Sequence, residues 1–154
     1  MKSNAMRLLE EGNINFIPHE YDIADGAIDG CSIARKLGKS TDEVFKTLVT
    51  EAPGPEYFVF VVPAGGELNL KKAAKAAKVK SIDMIPLKKL LPLTGYVHGG
   101  CSPVGMKKKF PTFIDETAIL FDRIFVSGGY VGLNLEIPPE ELAGFIEAEF
   151  ADLT

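Results

Sequence analysis

The run Thr94-Gly95-Tyr96-Val97-His98-Gly99-Gly100-Cys101-Ser102-Pro103-Val104-Gly105 constrains the fold of this chain more than any other stretch. Its four glycines and one proline forbid an ordinary helix or a central strand. Glycine gives up too much backbone freedom, and proline lacks a ladder donor. Such a run turns tightly and lets bare backbone N–H groups crowd against something, commonly an oxyanion or a phosphate. A second run, Ser127-Gly128-Gly129-Tyr130-Val131-Gly132, follows later in the chain. Two loops of this kind predict a built pocket, although plain turn geometry accounts for either one taken alone.

The chain has 154 residues, 46% hydrophobic and 25% charged, which suits one soluble domain over residues 1–154. No apolar run approaches the roughly 20 residues needed to cross a bilayer. Met1 to Asn15 lacks the apolar core of a secretory signal, so a cytoplasmic protein with no membrane association is expected. Two cysteines make no disulfide framework, and reduced thiols are expected. The net charge is −4, but it is unevenly spread. Between Leu68 and Ile114 ten lysines meet one acidic residue, Asp83, a balance of +9. The other seven basic and twenty acidic residues give −13. A polyanion would find one attractive region, centred on Lys71, Lys72, Lys75, Lys78, Lys107, Lys108 and Lys109. The alternative is that these lysines only solvate a helix and its neighbouring loops.

The pattern along the chain predicts a mixed α/β fold, one curled mixed sheet with helices packed around it. Helices are expected over Asn4–Glu11, over Ser32–Leu37 before Gly38, and over Leu70–Lys78 behind a capping Asn69. Ser40-x-x-Glu43 is a capping-box signature that predicts a further helical turn. Ile85–Leu91 reads as a short helical piece. Pro138-Pro139 opens a last amphipathic helix on Leu142, Phe145, Ile146 and Phe150. Strands are expected over Ile14–Tyr21, with Pro18 marking an edge, and over Lys46–Thr50 and Tyr57–Val62 around a Pro-Gly-Pro turn. Shorter ones are expected at Tyr96–His98, Thr112–Asp115, Arg123–Val126 and Leu133–Glu136.

Three side chains and one loop carry candidate chemistry. Lys46, flanked by Val44, Phe45, Leu48 and Val49, either snorkels to solvent or points its ammonium into a pocket as a donor. Tyr21 either lines that pocket or is an ordinary amphipathic core tyrosine. Asn134 alternates with Leu133 and Leu135, so it faces away from them, into solvent or into a pocket. The amides around Gly99, Gly100, Cys101 and Ser102 could stabilise a developing oxyanion. His98-x-x-Cys101 is a weak metal pair without matching partners, and no metal or cofactor is expected. No nucleophile elbow, P-loop or dinucleotide fingerprint is present. A pocket with donors but no nucleophile is what remains.

Several blocks together resemble the YbaK family of aminoacyl-tRNA deacylases, related to the editing domain of bacterial prolyl-tRNA synthetases. They are Ala-x-x-Leu-Leu-Glu (Ala5 to Glu10), His-x-Tyr (His19 to Tyr21), Val-Phe-Lys-Thr-Leu (Val44 to Leu48), Leu-Lys-Lys-Ala-Ala-Lys-Ala (Leu70 to Ala76) and the two glycine runs. The resemblance implies a β-barrel with peripheral helices and a pocket for the aminoacyl end of a misacylated tRNA, cysteine on proline tRNA above all. It implies that the substrate's own thiol cleaves the ester, forming a thiolactone. By position it makes Lys46 and Gly100 catalytic, and Tyr21, Gly99, Cys101, Ser102 and Asn134 substrate-binding. The seven lysines would meet the tRNA, with prolyl-tRNA synthetase a candidate partner and no DNA expected. Asn134 stands where a family member carries aspartate, and Cys101 where an apolar residue is expected. Removal of alanine or another small amino acid, and a non-catalytic tRNA-binding or synthetase-binding module, are the alternatives.

Overall fold

The computed structural model describes residues 2–154; Met1, the head of the expected 1–154 domain, lies outside them. Helix α1 (Asn4–Glu11) begins where the Ser3 hydroxyl accepts the Met6 N–H at 3.1 Å, and it buries Ala5, Met6 and Leu9. Strand β1 (Ile17–Glu20) is shorter than the pattern suggests and is an edge strand, which tolerates Pro18. Helix α2 (Gly30–Leu37) is capped by Asp29 and ends at Gly38 in the left-handed region, φ 69°. Strands β2 (Phe45–Ala52) and β3 (Glu56–Pro63) form the predicted hairpin.

Helix α3 (Leu70–Ala77) is capped by Asn69, whose side chain accepts from the Lys71 and Lys72 amides. Its small face, Ala73 and Ala74, packs on Phe58, Phe60, Val62, Phe113 and Leu153. Leu70, expected on that face, is instead exposed. Strand β4 (Asp83–Met84), a 3-10 turn (Leu87–Lys89) and α4 (Leu90–Thr94) follow. The remaining elements are β5 (Thr112–Asp115), a 3-10 turn (Glu116–Leu120), β6 (Ile124–Ser127), β7 (Leu133–Ile137), α5 (Pro139–Ile146) and β8 (Glu149–Ala151).

Three expectations fail for physical reasons. Only half of the Ser40–Glu43 capping box forms: the Ser40 amide donates to Glu43 at 3.1 Å, but the Ser40 hydroxyl accepts from Asp42 rather than Glu43, and no helix follows. Val44 and Phe45 are drawn at once into strand pairing, and tertiary pairing overrides the local signal. Phe150 is not helical. The last helix stops at Glu147, φ 56°, and Phe150 pairs with Ile114 in β8 alongside β5. Tyr96–His98 is loop, not strand, because Thr94 ties off the turn: its hydroxyl accepts the Tyr96 amide and its carbonyl accepts the Lys107 amide.

The strands make a three-stranded antiparallel sheet, β1-β7-β6, and a mixed five-stranded sheet, β4-β2-β3-β5-β8. A single parallel bridge, Val44 to Phe125, joins them. The closed barrel implied by the resemblance is not found among the described residues; two open sheets meet at one corner instead. The largest core cluster joins α1 and α5 to both sheets through Leu9, Phe45, Ile114, Ile124, Leu135 and Leu142. Burying side chains of this size is worth roughly 1.5–3 kcal/mol each. That core holds the corner, where the sheets part, in place.

Candidate active site

Strand β2 has β3 along one side, and its other side is only partly covered. The Val44 carbonyl accepts from Ala64 on the β3 side, so even-numbered residues of β2 turn their main-chain groups toward β3. Odd-numbered residues turn away. Glu43 accepts from Phe125 of β6, and Val49 accepts from Ile85 beside β4. Between these two contacts no strand reaches β2 among the described residues, and the Thr47 N–H and C=O have no ladder partner there.

A cavity of about 340 Å³ opens at this gap. Phe45, Lys46, Thr47 and Leu48 line it in succession, which the ordinary alternation of a strand would not allow. They can do so because the cavity meets β2 along its edge rather than over one face. The other walls come from the start of α2 (Asp29, Gly30, Cys31), from Leu90, from His98, Gly99 and Cys101 of the glycine loop, and from Ser127 and Asn134.

The Lys46 ammonium lies 3.7 Å from Glu67 Oε1, but that carboxylate is almost fully solvent-exposed and holds it weakly. Two buried oxygens on the wall, Thr47 Oγ1 and Asn134 Oδ1, accept or donate no hydrogen bond. Buried polar atoms are nearly always paired, so these two are exceptions on this wall. Asp29 is the one carboxylate on the wall, held below the usual carboxylate range by the Ser32 hydroxyl, with help from the Ser32 amide. The Cys101 thiol is pushed up to about 12 by burial, so it stays protonated at neutral pH and is no nucleophile. No group of three His, Cys, Asp or Glu side chains placed for a metal ion occurs among the described residues.

The two glycine runs do meet. A Cβ on Gly100 would lie 2.9 Å from the backbone of Tyr130 and Val131, so only glycine lets the loops touch. Within the first loop several polar groups are already engaged. The Gly100 N–H donates to Val97 at 3.0 Å, and the Ser102 hydroxyl accepts from Val104 at 3.1 Å. The Tyr96 hydroxyl donates to the Val104 carbonyl.

A family model described as the aminoacyl-tRNA editing domain matches residues 31–145. The chain belongs to this family. A candidate Cys-tRNA(Pro)/Cys-tRNA(Cys) deacylase, EbsC of Enterococcus faecalis (strain ATCC 700802 / V583), is 40% identical over 153 residues, 99% of this chain and 93% of the relative. Two solved structures share the fold. One, described as a candidate trans-editing enzyme for prolyl tRNA synthetase, has TM-score 0.84 at 23% identity, covering 100% of this chain and 99% of its own. The other, a hypothetical protein, has TM-score 0.87 at 22% identity, covering 96% of each chain.

Within this editing domain the predicted residues fall into three groups. Lys46, Gly99, Cys101 and Asn134 come together on the cavity wall. Gly100 and Ser102 sit behind it, shaping the loop. Tyr21 is also set back, in a cluster with Ile33, Ala34, Val44, Ala64 and Phe125, and burial raises its pKa. The lysines lie outside the cavity altogether. Lys71 and Lys75 on α3, with Lys78 capping its C-terminal end, are exposed and without an ion pair among the described residues, whereas Lys72 pairs with Asp152 and Lys109 with Glu147. Lys108 and Lys109 border a second cavity of about 220 Å³, and Lys107 is exposed. Thr47, Ser127 and Asp29 escape a sequence reading. Thr47 follows Lys46 directly, and strict alternation would send it to the opposite face.

Proposed function

We propose that this chain is a stand-alone, trans-acting deacylase of misacylated tRNA, acting foremost on cysteine attached to proline tRNA. The observation that carries the reading is a cavity with one ammonium, two unpartnered buried oxygens and, in Cys101, a thiol that burial keeps protonated. Such a site suits a substrate that supplies its own nucleophile. The 40% identical relative, named for this substrate class, supports it.

In the proposed reaction the substrate thiol loses its proton and attacks the ester carbonyl carbon. The carbonyl–O bond to the tRNA ribose breaks, the ribose oxygen takes up a proton, and the amino acid leaves as a thiolactone. Lys46 stabilises negative charge at the ester as it builds. Thr47 and Asn134 orient the aminoacyl group, and Asp29 provides the cavity's negative charge for the substrate ammonium. Gly99 and Cys101 wall the amino-acid side. Gly100 and Ser102 act by holding the loop's shape, and Tyr21 by supporting the wall. The exposed lysines of α3 and Lys107 and Lys108 meet the tRNA backbone, so affinity falls as salt rises. The residues act as one domain in the cytoplasm, with prolyl-tRNA synthetase as a partner that supplies tRNA selectivity.

The test is a panel of misacylated tRNAs with product identification. Cysteinyl-tRNA(Pro) should be deacylated fastest, with thiolactone detected. Equal turnover of alanyl-tRNA(Pro), with no dependence on the thiol, would replace the cyclisation route by simple hydrolysis. Binding without turnover of any ester would leave only a tRNA-binding module.

A further inference from the structure

Cys31 and Cys101 line the same cavity but differ in what governs thiol chemistry. Cys101 is buried, and its thiol is pushed up to about 12. Cys31 is exposed, in the first turn of α2. Its Sγ lies 3.9 Å from the Ala64 carbonyl oxygen, and Ala64 is itself part of the wall. Gly30 allows that approach, since a Cβ there would stand 2.6 Å from the Ala64 side chain. The thiol therefore stands at the wall, open to whatever enters. Asn134, 3% exposed, carries its unpartnered Oδ1 on the same cavity, an independent sign that the cavity receives a polar ligand.

We propose that Cys31 is a modification site at which a low-molecular-weight peptide disulfide exchanges with the thiol and closes the cavity. The Cys31 sulfur, its proton lost to solvent, attacks one sulfur of the disulfide. The reagent's S–S bond breaks, a mixed disulfide to Cys31 forms, and the released thiolate takes up a proton. One disulfide replaces another, with no net oxidation and no further reactant. Cys101 stays out of the exchange because its thiol is protonated and shielded. A tripeptide on Cys31 competes for the space that Lys46 and Thr47 border, and a reducing thiol restores it. The effect on activity rests on the deacylase reading; the adduct does not.

The probe is oxidised glutathione, applied to wild type, Cys31→Ser and Cys101→Ser, read by intact mass and peptide mapping beside the deacylation rate. One adduct is expected, on Cys31, in wild type and Cys101→Ser, and none in Cys31→Ser. Activity should be lost in proportion to the adduct and regained with dithiothreitol, while the rate of Cys31→Ser is the same with and without the reagent. Absence of an adduct, an adduct on Cys101, or a fully modified protein as active as the unmodified one overturns the proposal. A protein that deacylates nothing before treatment counts against the deacylase reading instead, and the mass measurement still decides the modification site.

Discussion

The open edge of β2 and the glycine-rich loop border the same cavity, yet their polar groups are engaged in opposite ways. Among the described residues on the β2 side, the Lys46 ammonium has one exposed carboxylate near it, Thr47 Oγ1 has no partner, and the Thr47 main chain has no ladder neighbour. On the loop side the Gly100 amide donates to Val97, the Ser102 hydroxyl accepts from Val104, the Tyr96 hydroxyl donates to Val104, and the Thr94 hydroxyl accepts from Tyr96. A glycine-rich run looks like the chemical part of a site. Here Gly100 and Ser102 give the loop its form, and an edge strand of ordinary composition presents Lys46 and Thr47 beside it.

Lys46→Ala tests the comparison hardest. Removing a charged donor from where negative charge develops should lower the deacylation rate by roughly 10²–10³-fold, with little change in melting temperature. Full activity in that variant would move the chemistry away from β2. Gly100→Ala should act through structure instead. Its Cβ meets backbone that cannot swing aside, so a loss of about 1–3 kcal/mol in denaturant unfolding is expected, with activity falling alongside. A Gly100→Ala variant of wild-type stability but no activity would return a direct catalytic role to the loop.

Thr47→Val separates the two walls more finely. It replaces an unpartnered buried oxygen with a methyl group, so stability should hold or rise by up to about 1 kcal/mol while KM for the aminoacyl ester rises several-fold. A loss of stability would show that Thr47 Oγ1 already has a structural partner. Cys101→Ala should change least at neutral pH, because the thiol is protonated there. Its effect belongs to alkaline solution. The folded pKa of about 12 exceeds the ordinary value of 9.0, so the unfolded chain ionises first. Stability from this group is full below about pH 9 and is lost as pH rises toward 12. Unfolding measured from pH 7 to 11 should show a shallower alkaline decline in Cys101→Ala than in wild type.

Much of the fold was legible in the sequence because local rules and tertiary packing agreed. Asn69, Gly38 and Pro139 mark helix ends through their own backbone chemistry. The Pro-Gly-Pro turn joins two strands long enough to pair over their whole length. Pro18 could only belong to an edge. Where the two disagreed, pairing won: Val44 and Phe45 overruled a half-formed capping box, and Phe150 left a helical pattern to join β5.

The candidate site divides along the same line. Residue type and spacing marked Lys46, the glycine runs and Asn134, because a lysine among apolar neighbours and an amide between leucines are local anomalies. Only the tertiary structure decided which of them share a cavity. It set Gly100 and Ser102 behind the wall, carried Tyr21 into a neighbouring cluster, and brought Thr47, Asp29 and Cys31 forward. The reason is the uncovered stretch of β2 between β4 and β6. A strand's pattern of alternating faces is written in its sequence, but whether its edge is covered depends on strands far away in the chain.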